Sequence, residues 1–214
     1  MVGGAYRVEY GGGVVDSDRQ PATKPEDEVA GLERRFGWSN MFVAPEQDPR
    51  STEPTIGERA TLTGYLRAYR QTLELKCRDL DTNQLTCRSV PPSNLSLLGL
   101  VRHLADVERN WFRNVLAGEV AAHHFGEDGD WDTAFEGATP DDACVEDAWR
   151  AWRDEVDFAE RYVDGAVDLE QTGTMRDGQP ISLREVLVHM IEEYARHCGH
   201  ADLIRERIDG RIGQ

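Results

Sequence analysis

Apolar side chains recur every three or four residues in four long segments, the first of which begins at residue 57. This spacing places them on one face of an α-helix. The segments cover about residues 57–80, 95–117, 141–164 and 182–209. Because each helix would carry one apolar stripe, and because strand patterns are nearly absent, the sequence predicts an all-α, four-helix bundle.

Local signals mark the ends of two of these helices. Ser93 and Asn94 are good N-cap residues for the second helix. Ser182 and Glu185 form an S-x-x-E capping box at the start of the fourth helix, and Gly210 is expected to end it. These signals agree with the bounds that the apolar period indicates.

The two longest connections differ in composition. Residues 119–147 hold ten acidic side chains and no basic one, which predicts a solvated loop. The alternative is a lid or a selective rim over a site at that end of the bundle. Residues 165–181 include Gly173, Gly178 and Pro180, and they predict a turn-rich segment with a short hairpin.

Residues 1–56 lack a sustained apolar period. They contain glycine clusters at 3–4 and 11–13 and five of the nine prolines. This composition predicts a flexible N-terminal extension, of which residues 32–45 are the part expected to dock on the main domain. The bundle domain is accordingly predicted to cover residues 57–214.

The formal net charge of −16 limits the partners of this chain. Nucleic acids and anionic membranes both attract Lys and Arg, so neither is an expected partner. The sequence contains no apolar run long enough to span a bilayer and no apolar leader at its start. We therefore expect a cytoplasmic protein whose four cysteines are reduced.

The residues that suggest chemistry lie on the fourth predicted helix. His189, Glu193, His197 and His200 fall within an arc of roughly 80°, and this arc overlaps the apolar stripe. Ionisable groups that face a bundle interior are costly unless they are paired or bound to a metal. Glu193 and His197 are separated by about 6 Å along the helix axis, which suits two ligands of one ion.

A third ligand must come from another helix, and His103 is the candidate. It follows Leu100 by three residues and precedes Val107 by four, so it lies on or beside the inward stripe of the second helix. A site of His103, Glu193 and His197 would leave coordination positions open for water, a thiolate or a substrate. His123 and His124 lie in the acidic connection, where no helical periodicity indicates the direction of their side chains.

A structural role for the same residues stays open at this point. A histidine on an apolar stripe is commonly a core side chain with one hydrogen bond, and Glu-x-x-x-His is a common surface pair. His189 and His200 are candidates for groups that orient a ligand. Cys198 points about 100° away from His197, which favours a buried, apolar role for its thiol.

Two motif blocks carry a resemblance to a known family. VPPSNLSLLGLVRHLADVERNWF (90–112) and SLREVLVHMIEEYARHCGHADLIRERIDG (182–210) resemble the DinB/YfiT-like superfamily, in particular its actinobacterial branch related to the mini-circle protein. The resemblance covers about residues 57–210. It implies an up-down-down-up bundle, often dimeric, with a divalent metal at one end, so a homodimer is a further expectation.

The resemblance also implies a ligand set. The superfamily uses a histidine on its second helix and an H-x-x-x-H pair on its last, and these fall on His103, position 193 and His197. Position 193 is Glu here, which departs from three histidines but resembles the mycothiol-dependent maleylpyruvate isomerase variant. The substrate of that isomerase is not expected for this chain, because the isomerase has a further, C-terminal domain.

The resulting expectation is a metal-dependent enzyme that moves a low-molecular-weight thiol, such as mycothiol, onto an electrophilic small molecule or uses that thiol as a cofactor. Zn is the expected metal, with Ni, Mn or Fe as alternatives. The same ligands would also suit a metal-dependent hydrolase or Fe(II) oxygen chemistry. A non-enzymatic small-molecule-binding or stress-response protein is the remaining alternative, and catalytic residues beyond the ligands are not assigned.

Overall fold

The computed structural model describes residues 43, 48–50, 55–127 and 132–212, all of which belong to one compact unit. The predicted extension, residues 1–56, lies almost entirely outside the described residues. Within them the elements are α1 (Glu58–Cys77), α2 (Thr82–Thr86), α3 (Leu97–Glu108), a π-helical segment (Arg109–Leu116), α4 (Asp132–Glu136), α5 (Asp142–Gly165), β1 (Thr172–Thr174), β2 (Pro180–Ser182) and α6 (Leu183–Asp209).

α1 and α6 run in the same direction. At the beginning of α6, the Arg184 guanidinium pairs with Glu58 at the beginning of α1. Near the end of α6, Arg205 donates to the main-chain carbonyl of Lys76, which lies near the end of α1. The two helices are therefore parallel neighbours.

α3 and α5 form the second parallel pair, and it runs opposite to the first. Arg102 of α3 lies beside Cys144 near the start of α5, and Tyr162 near the end of α5 donates to the carbonyl of Leu116. Arg59 at the start of α1 donates to the carbonyl of Val163 near the end of α5. Arg67, further along α1, meets Glu160, which lies earlier in α5, so these two helices are antiparallel. The predicted all-α bundle with up-down-down-up topology is thus confirmed.

Apolar side chains from all four long helices fill the interior. Leu73, Leu100, Trp152 and Leu187 are examples, each at most 3% exposed. All four cysteines are free thiols, and Cys198 is buried as the sequence predicted. No helix of the described residues has both the length and the apolarity needed to cross a membrane.

A polar network joins the four long helices inside this core. Arg70 donates to both carboxylate oxygens of Glu108, at 2.8 and 2.7 Å. The Tyr194 hydroxyl donates to the same carboxylate at 2.8 Å and accepts from Trp152 Nε1 at 2.8 Å. Since each of these polar atoms has a partner, the network fixes how the helices pack instead of destabilising the core.

Two predicted helix boundaries need correction. α3 begins two residues later than expected, because Ser96, and not Ser93 or Asn94, accepts from the main-chain N–H of Gly99 and caps the helix. α1 ends at Cys77, since Asp81 caps the separate short helix α2. The predicted cap of α6 at Ser182 and its end at Gly210 are confirmed.

The predicted hairpin is also present, as the antiparallel pair β1–β2. Gly173 of β1 approaches the main chain of the π-helical segment so closely that a Cβ would lie 2.2 Å from the carbonyl oxygen of Val115. Only glycine fits there without a shift of the main chain, so Gly173 allows the hairpin to close over the end of this segment.

Candidate metal centre

The three residues predicted as metal ligands lie together where α3 crosses α6. His103 comes from the middle of α3, and Glu193 and His197 come from successive turns of α6. The Nε2 atoms of both histidines lie 3.1 Å from the same carboxylate oxygen, Oε1 of Glu193. One ligand atom from each residue lies within 4.8 Å of the other two.

Packing holds both imidazoles in place. His103 and His197 are each 8% exposed, and their ring centroids are 4.7 Å apart. Phe135 of α4 stacks on the His103 ring with a centroid distance of 4.9 Å. The Glu193 side chain keeps 18% of its surface exposed, so solvent reaches the cluster at the carboxylate.

His200 contacts one of the predicted ligands. Its Nδ1 lies 3.3 Å from Nδ1 of His197, one turn earlier on α6. Burial lowers the pKa of His200, and the neighbouring His197 lowers it further, which favours a neutral ring that accepts a hydrogen bond. In this structure the Nε2 atom of His197 donates to Glu193. Binding of a cation would displace that proton, and with the remaining proton on Nδ1, accepted by His200, the Nε2 lone pair of His197 would be free for the ion.

The carboxylate of Glu193 carries the negative charge of the cluster. Hydrogen bonds from His103 and then His197 hold the pKa of Glu193 well below its usual range, and they outweigh the opposing effect of burial. Glu193 is therefore ionised at neutral pH. Two neutral imidazoles and one carboxylate are a donor set that divalent transition metals accept.

The spacing of the ligand atoms also suits an ion. Neighbouring ligands about 2.0–2.1 Å from a tetrahedral ion are separated by roughly 3.3 Å. The two Nε2–Oε1 distances of 3.1 Å are close to this value. The residues present thus fit a divalent cation, and metal binding by them stays a prediction.

A family model for mycothiol S-transferases matches residues 61–210, well over half of the chain. The chain belongs to the mycothiol S-transferase family. Both motif blocks that resembled the DinB-like superfamily lie inside the matched span, so that resemblance is confirmed. No curated protein and no solved structure gives a significant match.

His189, the second candidate for an orienting group, packs against Trp111 of the π-helical segment, with ring centroids 4.5 Å apart. In this member of the mycothiol S-transferase family the two rings lie in the same α3–α6 interface as the three predicted ligands. The apolar period of the second predicted helix includes Trp111 but gives no sign of the π-helical winding.

Sequence reasoning missed the anchor of the acidic connection. Asp106 is fully buried, and its carboxylate accepts from the main-chain N–H groups of His124, Phe125 and Gly126. The first part of this connection is therefore fixed on α3, one turn after His103. A lone Asp among the apolar residues of the second helix was the signal available in the sequence.

The His124 imidazole has a second anchor. It lies 3.0 Å from Glu155 of α5, whose buried carboxylate also pairs with Arg109 and Arg113. Burial alone would raise the pKa of Glu155, but the bonds from His124 and the two guanidinium groups lower it overall. An ionised Glu155 thus ties the connection to both α5 and the π-helical segment.

Proposed function

We propose that this chain is a divalent-metal-dependent thiol S-transferase, which joins a mycothiol-like thiol to an electrophilic small molecule. Membership of the mycothiol S-transferase family supports the thiol and the transfer. The observation that carries the metal dependence is the convergence of two imidazole Nε2 atoms, from His103 and His197, on one oxygen of Glu193.

Each residue of the cluster has a role in this proposal. His103, Glu193 and His197 hold the cation, and His200 keeps the His197 lone pair directed at it. A divalent cation held by these residues would lower the pKa of a thiol bound beside them toward neutrality and so supply thiolate. The exposed edge of Glu193 marks the side from which the thiol and the electrophile enter.

The bond changes in the reaction balance without an oxidant or a reductant. The thiol loses its proton to solvent, and the sulfur electron pair forms a bond to the electrophilic carbon. The bond from that carbon to the leaving group breaks, and the leaving group departs with the electron pair. The packed faces of Phe135 and His103 exclude water from one side of the cluster.

The test compares two neighbouring carboxylates of α6. Glu193→Gln removes the charge from the cluster, whereas Glu192→Gln changes an exposed side chain that points to solvent. With zinc, mycothiol and an alkylating electrophile, we expect the wild type and Glu192→Gln to form the thioether and Glu193→Gln to lose at least 100-fold in rate.

Omitting the thiol decides between transfer and hydrolysis. We expect no consumption of the electrophile when mycothiol is left out. Equal consumption without any thiol would contradict the transferase proposal and favour a hydrolase with the same ligands. Equal rates for Glu193→Gln and Glu192→Gln would contradict the metal dependence.

A further inference from the structure

Trp111 and His189 continue the α3–α6 interface beyond the predicted metal ligands. The His103–His197 and Trp111–His189 pairs each bring together one ring from each helix, at centroid distances of 4.7 and 4.5 Å. Eight residues separate His103 from Trp111, and eight separate His189 from His197. The two pairs therefore lie about 12 Å from each other along the helix axes. Glu193 comes from the turn of α6 between His189 and His197.

The π-helical segment determines where the Trp111 side chain points. An unbroken α-helix would turn Trp111 about 80° past His103, toward the buried side of α3. The π-helical winding, in which N–H groups bond to carbonyls five residues back, instead begins at Arg109, two residues before Trp111. This bonding puts more residues into each turn, so Trp111 rotates less far and stays nearer the face of His103. Such insertions are frequent at functional sites.

The two rings leave surface available for a ligand. Trp111 and His189 are both half-buried, and their planes are inclined at 56°, so they do not cover each other face to face. Indole offers a large apolar face on which a flat ligand stacks well. The pair is therefore suited to contact a planar group held beside Glu193.

Charge near the pair disfavours an anion. The acidic connection starts directly after the π-helical segment, where the side-chain amide of Asn114 bonds to both main-chain polar groups of Ala121. Glu155 neutralises the nearby Arg109 and Arg113. Glu119 also pairs with Arg113, so two carboxylates balance the two cations of this segment, and a ligand here gains nothing from negative charge.

We propose that Trp111 and His189 form the subsite for the electrophile, and that this co-substrate presents a flat, uncharged aromatic or conjugated group. The role as an electrophile subsite rests on the proposed function. Binding of the flat group does not use the metal ligands, so it is measurable without them.

The first test uses three unreactive probes, namely N-benzylacetamide, its non-planar analogue N-(cyclohexylmethyl)acetamide and the anionic N-(4-carboxybenzyl)acetamide. Dissociation constants come from ligand-observed NMR titration. We expect the wild type, the metal-site variant His197→Ala and the control Trp149→Leu to bind the benzyl amide at least threefold more tightly than either analogue. Trp149 is a half-buried indole on α5 that packs against Trp152.

Trp111→Leu and His189→Ala decide the outcome. We expect Trp111→Leu to weaken binding of the benzyl amide by about three- to tenfold and to lose the preference over the cyclohexyl analogue. His189→Ala provides the second variant if Trp111→Leu does not fold, as judged by circular dichroism. Unchanged binding in the folded variants, or no planar preference in the wild type, would overturn the subsite.

A kinetic measurement separates the subsite from the proposed function. In the zinc-loaded protein we expect Trp111→Leu to raise the KM for an aromatic electrophile while the KM for the thiol stays constant. Unchanged KM for the electrophile would overturn its assignment to this subsite. If the wild type transfers no thiol and still shows Trp111-dependent planar binding, the proposed function fails and the binding subsite stands.

Discussion

His200 and His197 face each other through their Nδ1 atoms, which lie 3.3 Å apart. At this distance one Nδ1 can donate a hydrogen bond and the other accept it, so the tautomer of one ring is coupled to that of the other. Burial lowers the pKa of His200, which favours its neutral ring, and a neutral ring can accept a hydrogen bond from the Nδ1–H of His197. His200, which is not itself a predicted ligand, thus influences which nitrogen of His197 is free for a metal.

This relationship predicts an effect of His200 on metal affinity. His200→Ala removes the acceptor, and we expect the dissociation constant for zinc to rise about 10- to 100-fold. His200→Gln retains an acceptor oxygen and should recover part of the affinity. Competition with a chromophoric chelator measures both, and equal affinities in His200→Ala and the wild type would refute the positioning role.

The buried Glu155 predicts a pH-dependent contribution to stability. Its folded-state pKa is lowered, so the contribution is present above the ordinary carboxyl pKa of about 4.3 and is lost as the pH falls toward the lowered value. We expect Glu155→Gln to reduce the free energy of unfolding by about 3 kcal/mol at pH 7. The difference from the wild type should shrink below about pH 4.

Denaturant titrations at several pH values measure that difference. Glu119→Gln serves as the control, because its contact with Arg113 is more exposed and longer, at 3.3 Å. If the loss of unfolding free energy in Glu155→Gln stays constant down to pH 3, the charge of Glu155 plays no part in stability.

Gly173 and Gly199 predict opposite effects of the same substitution. A Cβ at Gly173 would overlap the carbonyl oxygen of Val115, whereas one at Gly199, inside α6, would meet nothing within 4 Å. We expect Gly173→Ala to destabilise by about 1–3 kcal/mol or more. Gly199→Ala should stabilise by roughly 0.5–1 kcal/mol, since alanine is the better helix former. Thermal melting of both variants measures these effects. An unchanged melting temperature for Gly173→Ala would rule out the close approach of Gly173 to Val115.

The core network predicts a cost for removing one hydroxyl. Tyr194→Phe leaves Trp152 Nε1 and Glu108 Oε1 each without one buried hydrogen bond. The expected loss of unfolding free energy is about 1–3 kcal/mol. Tyr65→Phe is the matched control, because Tyr65 is 59% exposed and should change little. Equal stabilities of the two variants would mean that the network adds nothing to the fold.

Helical periodicity was sufficient for the bundle and for its most informative residues. His103, Glu193 and His197 were found from their positions on two apolar stripes, because a shared helix face survives folding unchanged. The distance between the stripes could not be read from that pattern. It depends on the antiparallel crossing of α3 and α6, which tertiary packing determines.

The contacts that lie off the main helices were beyond this reasoning. Phe135, which stacks on His103, belongs to a five-residue helix inside an acidic connection, where no period is long enough to detect. The π-helical winding that directs Trp111 depends on main-chain bonds that no side-chain pattern encodes. His124 lacked any periodicity, and its place follows from the buried carboxylates of Asp106 and Glu155.

The central claim is that His103, Glu193 and His197 bind a divalent metal, and metal content tests it most directly. The untagged protein would be analysed by elemental mass spectrometry beside His197→Ala and the control His124→Ala, which removes an exposed imidazole held by Glu155. We predict about one Zn, Ni, Mn or Fe ion per chain in the wild type and in His124→Ala, and its loss in His197→Ala. A wild type that stays metal-free after reconstitution, or a His197→Ala variant that keeps its metal, would contradict the account.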